Sequence, residues 1–99
     1  MEHEHLIEKI MEHYEEALEE LMDAENYAKL AGHTERMEDR RMYYTLAKQE
    51  LEHEAMILAS GDRLAADAPK DHSIHPVWDR LKKHLHHWRE NIERKIAAG

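Results

Sequence analysis

The sequence contains no cysteine, so neither a disulfide framework nor a thiolate-bound zinc or iron–sulfur centre can stabilise or equip it. It also lacks any apolar run near the ~20 residues that a membrane span requires, which excludes a membrane protein of the helical class. The amino terminus, Met1-Glu2-His3-Glu4-His5, does not have the basic-then-apolar layout of a secretory signal, and a cytoplasmic address is expected. Positive charge is scarce: 14 Lys and Arg stand against 22 Asp and Glu, a formal net charge of -8. That balance argues against a nucleic-acid partner, whose binders carry a basic patch. No stretch alternates apolar and polar residues as a half-buried strand does, and no repeat of 20–50 residues is visible. The chain is read as all-α.

At 99 residues the chain has the length of a single domain, 1–99, too short to bury a large core alone. With cysteine absent, stability must come from oligomerisation or from metal held by oxygen and imidazole. The acidity is concentrated in one half. Residues 1–60 hold 16 acidic and 6 basic side chains, and residues 61–99 hold 6 acidic and 8 basic, so a cation would go to the first half. Ten histidines favour metal affinity or pH sensitivity.

Apolar residues at Leu6, Ile10, Tyr14, Ala17, Leu21, Ala24 and Ala28 recur at three- and four-residue steps and predict an amphipathic helix over about 3–31. Gly32 suits its C-terminal end, and Thr34 can start a second helix after a very short turn, making an antiparallel hairpin. Met37, Tyr44, Ala47, Leu51, Ala55 and Leu58 carry that helix to a stop near Ser60-Gly61. The segment 61–75, with Gly61, Pro69 and several Asp, Lys and His, reads as a linker. Pro76 is placed for the first turn of a third helix, 76–99, whose Trp78, Leu81, Leu85, Trp88, Ile92 and Ile96 follow a heptad spacing.

Chemistry enters on the second helix. Glu50 and Glu54 fall inside the apolar arc of Tyr43, Leu46, Ala47, Leu51, Ile57 and Leu58, where an ionised carboxylate must be protonated, paired with a cation or bound to a metal. His53 follows Glu50 by three residues, and this Glu-x-x-His step is the ligand pair of carboxylate-bridged di-iron bundles. Glu2-His3-Glu4-His5 satisfies the same four-residue pattern, so the motif alone is weak. Such a site also needs a carboxylate from the adjacent helix. Glu20, beside the small Ala17 and Ala24, is preferred over Glu25 for that place, and Tyr27 falls on the same side two turns on. The alternative for the inward glutamates is an ion pair, with Arg40 as the candidate partner. His84 and His87 form an i,i+3 pair better read as the rim of the third helix than as ligands.

These residues resemble the encapsulated ferritins, half-length ferritin-like proteins that show the same spacing from a first-helix Glu to a Tyr and on to a second-helix Glu-x-x-His. Glu20, Tyr27, Glu50 and His53 match it, within residues 6–60. The resemblance implies a ferritin-like four-helix bundle completed by dimerisation and an iron cofactor bridged between subunits. It implies that Glu20, Glu50 and His53 ligate the iron and that Tyr27 orients a ligand. The activity implied is oxidation of Fe(II) to Fe(III) for storage or detoxification. It also implies an encapsulin-type shell as a partner, although Lys95-Ile96-Ala97-Ala98-Gly99 is no evident targeting peptide; Asn26 stands where the family often has Trp, and the third helix is longer here. Mn or Zn suits the same donors. Two other functions are carried forward: a non-catalytic interaction module presenting Trp78, Leu81, Leu85 and Trp88 to a partner, and a rubrerythrin-like oxidase or peroxidase using the same site.

Overall fold

Three helices account for nearly all of residues 5–99, which the computed structural model describes. They are α1 (Leu6–Gly32), α2 (Met37–Ala66) and α3 (Ile74–Ala98). Together they form an elongated body of 54 × 18 × 14 Å, close to the ~1.5 Å rise per residue of helices laid side by side. No helix among the described residues is long and apolar enough to cross a membrane.

The buried side chains include those of the sequence periodicity, Ile10, Ala17, Leu21 and Ala24 on α1, Leu51 and Leu58 on α2, and Trp78, Leu85 and Ile92 on α3, and with them Ile74, which falls in the expected linker, in one continuous core. Small residues dominate the α1–α2 seam, where Ala17, Ala24, Ala31 and Ala47 are fully buried, so the two backbones approach closely. The third helix closes one side of this hairpin. Tyr14 Oη and His84 Nδ1 share a hydrogen bond at 2.7 Å and Trp88 Nε1–H donates to Glu25 at 3.2 Å, while Trp78 Nε1–H donates to Asp62 at 2.8 Å. Rising numbers on α1 therefore meet rising numbers on α3, and α3 runs parallel to α1 and antiparallel to α2. One copy thus buries the Trp78–Leu85–Ile92 stripe on its own hairpin, each large apolar side chain contributing about 1.5–3 kcal/mol.

The boundaries differ from the sequence expectation in three places. The expected start of the first helix at residue 3 lies outside the described residues, as does the Glu2–Glu4 part of the chance motif. Thr34 does not cap α2; its hydroxyl donates to Leu30 O at 2.6 Å and so belongs to the end of α1. The 61–75 linker is shorter than expected, because α2 runs through Gly61 to Ala66 and the connection to Ile74 is only 67–73. Gly61 stays helical because the Trp78 indole occupies the space of its missing side chain: a Cβ there would lie no more than 3.0 Å from three indole carbons. Gly61→Ala is therefore expected to destabilise the protein by about 1–2 kcal/mol, the helix-propensity gain of ~1 kcal/mol being outweighed by overpacking. The check is a lower melting temperature together with a shifted Trp fluorescence maximum.

Candidate metal centre

Helical geometry places the first-helix carboxylate opposite the second-helix pair. Buried Ala17 and Ala24 flank Glu20 one turn to either side, and the close seam they allow brings Glu20 across to Glu50 and His53. One ligand atom from each of the three residues lies within 4.8 Å of the others. His53 Nδ1 is 3.6 Å from Glu20 Oε2 and 3.9 Å from Glu50 Oε1. The two carboxylates are largely covered, whereas the His53 side chain is 56% exposed. Glu20 Oε2 is buried with no hydrogen-bond partner. Glu50 is held above the ordinary carboxylate range, first by its hydrogen bond with the Glu20 carboxyl, then by burial and by the Glu20 charge, with His53 opposing. Two carboxyl groups forced together beside an imidazole, one oxygen left without a donor, are a donor set that fits a small divalent cation.

The group lies on the seam and opens away from α3. At about 100° per residue, His53 is turned some 160° from Leu51, whose carbonyl oxygen accepts from Arg89 on α3 at 2.8 Å. Glu20 is similarly turned about 140° from Glu25. Glu25 accepts from Trp88 and Lys95 and pairs with Lys29 at 3.8 Å. Burial pushes the Glu25 carboxyl up, but those donors and cations outweigh it and hold it low. Glu20, not Glu25, is the first-helix carboxylate beside Glu50 and His53. Tyr27, two turns along α1, stacks on Tyr43 with ring centroids 6.4 Å apart. Two turns the other way, Ser60 Oγ–H donates to His13 Nε2 at 3.0 Å, while His13 Nδ1–H donates to Lys9 O at 2.7 Å. The seam thus carries three polar rungs at heptad spacing, with the candidate centre in the middle.

Glu54, the other inward glutamate, has a different fate. It is fully buried, and Arg89 Nη1 donates to its Oε1 at 2.6 Å. Burial raises its carboxyl and Arg89 opposes the rise. The expected partner was Arg40, but Arg40 Nε donates instead to Ala31 O across the hairpin turn at 3.2 Å. Arg89 was missed because its partner is distant in sequence; the available signal was its place beside Trp88 at the edge of the third-helix stripe. That stripe is spent within the chain, with Trp78 and Leu85 buried and Leu81 and Trp88 partly buried against the same core, which leaves little of it for an interaction module to present. His84 is engaged by Tyr14.

No protein-family model matches the chain, and neither a curated protein nor a solved structure matches it.

Proposed function

We propose that this chain is a ferritin-like iron-binding protein that oxidises Fe(II) to Fe(III), for storage or detoxification, at a di-iron site made by two copies. The observation that carries it is the convergence of Glu20, Glu50 and His53 within 4.8 Å on a seam that α3 leaves open. Iron supplies the redox change, with O₂ or peroxide as the oxidant. The protein's part is binding. Glu20 Oε2, without a hydrogen-bond donor, would accept the positive charge of a bound cation; Glu50 would supply the facing carboxylate, relieved of its repulsion from Glu20; His53 would contribute a ring nitrogen from the more exposed side. A carboxylate di-iron bundle uses a Glu from each of two helices and a Glu-x-x-His from each of two others, and one hairpin holds half of that set. A second copy related by a two-fold axis supplies the rest. Met42 and Met56, 48% and 69% exposed, lie in the same stripe of α2 as His53 and offer an apolar surround for such a contact. The acidic surface of residues 1–60 raises the local cation concentration.

Metal and association are then linked. Fe(II) or Co(II) added to the metal-free protein should shift it from monomer to dimer, because a ligand that binds only the associated state stabilises it by about 2.7 kcal/mol at a hundredfold excess over its dissociation constant. Sedimentation with and without chelator measures this, beside metal analysis, for which about one iron per chain is expected. Chelation that strips the metal and leaves the mass distribution unchanged would place the whole site within one subunit.

A further inference from the structure

Methionine is ordinarily among the residue types most often fully buried, yet none of the five described methionines lies in the core, which is filled by Leu, Ile, Ala and Trp. Met11, Met22, Met37, Met42 and Met56 are all 36% exposed or more. A thioether on the surface can be oxidised without harm to the packing beneath it, and what its oxidation does depends on where the residue stands. Met42 and Met56 stand beside the candidate metal centre. At about 100° per residue, Met56 lies one turn beyond His53 and about 60° round the helix from it, and Met42 lies three turns before it and about 20° round. Half-buried Leu46 and Ile57 share that stripe, so the exposed imidazole sits on an apolar strip with a methionine to either side. Met22 and Met37 are comparably exposed, at 52% and 56%, but are turned about 160° from Glu20 and from His53 respectively.

We propose that Met42 and Met56 form a peroxide-sensitive switch on assembly of the iron site, their oxidation to methionine sulfoxide keeping two copies apart. The inference rests on the two-copy site proposed above, whose contact covers the strip around His53. In the step itself the thioether sulfur attacks one oxygen of hydrogen peroxide, an S–O bond forms as the O–O bond breaks, and the proton of the transferred oxygen passes to the departing hydroxide, which leaves as water. Sulfur loses two electrons and peroxide gains them. A flexible apolar side chain thereby becomes a polar one, and burying its new acceptor oxygen against a second apolar strip without a donor is unfavourable. The core contains neither residue, so the oxidised monomer stays folded. A methionine sulfoxide reductase, drawing electrons from a thiol, restores the thioether. Metal and peroxide therefore act in opposition: metal closes the contact over the two sulfurs, and peroxide that arrives first keeps it open.

The test uses the full chain with Zn(II), which has no redox chemistry of its own and suits the same donors. Sulfoxide at each methionine is measured by peptide mass after a pulse of hydrogen peroxide, and the monomer–dimer constant by sedimentation. A pulse given to the metal-free chain should oxidise Met22, Met37, Met42 and Met56 alike and weaken zinc-linked dimerisation by about tenfold or more, with helicity unchanged; the reductase with dithiothreitol should restore it. Zinc added before the pulse should slow oxidation of Met42 and Met56 several-fold and leave Met22 and Met37 as reactive as before. Met42→Leu/Met56→Leu should dimerise with zinc both before and after peroxide, whereas Met42→Gln/Met56→Gln should dimerise weakly in both. Wild-type dimerisation that survives full oxidation, loss of it in the oxidised leucine variant, or zinc that does not distinguish Met42 and Met56 from Met22 and Met37 would each overturn the switch and leave the iron-site reading standing. A chain that stays monomeric with zinc before any oxidation would overturn that reading, and the switch with it.

Discussion

Glu50→Ala is expected to abolish Fe(II) oxidation above the background rate while leaving the metal-free fold as stable as wild type or more so. The two halves of this result have one cause. Glu50 is the carboxylate of the Glu-x-x-His step, and in a symmetric dimer its loss removes a ligand from both half-sites at once. In the metal-free chain the same carboxylate is a burden, because the facing Glu20 carboxyl and partial burial hold it above its ordinary range. A carboxyl whose pKa is higher in the folded than in the unfolded state costs stability wherever it must ionise, and this cost fades as pH falls through the raised folded value. Thermal melts of wild type and variant, taken with chelator, should therefore lie furthest apart at neutral pH and approach each other on acidification. The oxidation rate in air is measured beside them. A variant that oxidises iron at the wild-type rate would remove Glu50 from the ligand set; one whose metal-free form melts far below wild type would make Glu50 a structural partner instead.

The helices themselves were legible in the spacing of apolar residues, since most positions that recur at three and four residues in the sequence are covered in the structure, Met37 and Ala55 of the second helix being exposed. What local pattern could not convey was decided by contacts between distant segments. Gly61 reads as a stop by its own chemistry, and only the Trp78 indole seated against it explains why the helix continues to Ala66. Glu50 and Glu54 share one apolar arc, separated by about 40°, and nothing local tells them apart. Glu20 on one neighbouring helix and Arg89 on the other draw them to different uses. The grouping of Glu20, Glu50 and His53 was legible for the opposite reason: a heptad-like register between two helices joined by a short turn makes sequence spacing a direct measure of which residues meet.

Arg89→Met is expected to produce the largest loss of stability of any single change at the α2–α3 contact, about 3–5 kcal/mol, the range for breaking a buried ion pair by removing one partner. Glu54 is fully buried and Arg89 is its cation; Arg89 also holds the Leu51 carbonyl, so the methionine leaves a desolvated carboxylate with nothing to neutralise it. Protonation sets a bound on the damage. Burial already raises the Glu54 carboxyl against the pull of Arg89, and without that pull the folded-state value rises further. The loss should be greatest at neutral and higher pH and shrink as pH falls through the raised value, since the protonated acid no longer needs a cation. The double variant Glu54→Met/Arg89→Met separates the charge from the packing: with both ions replaced by apolar side chains of similar length, stability should return to the wild-type level or exceed it. Because the pair lies on the side of α2 turned from His53, the double variant should also keep the metal-linked association of the wild type. Chemical denaturation of the single and double variants at neutral and acidic pH makes the comparison. A single variant as stable as wild type would mean that solvent, not Arg89, already satisfies Glu54.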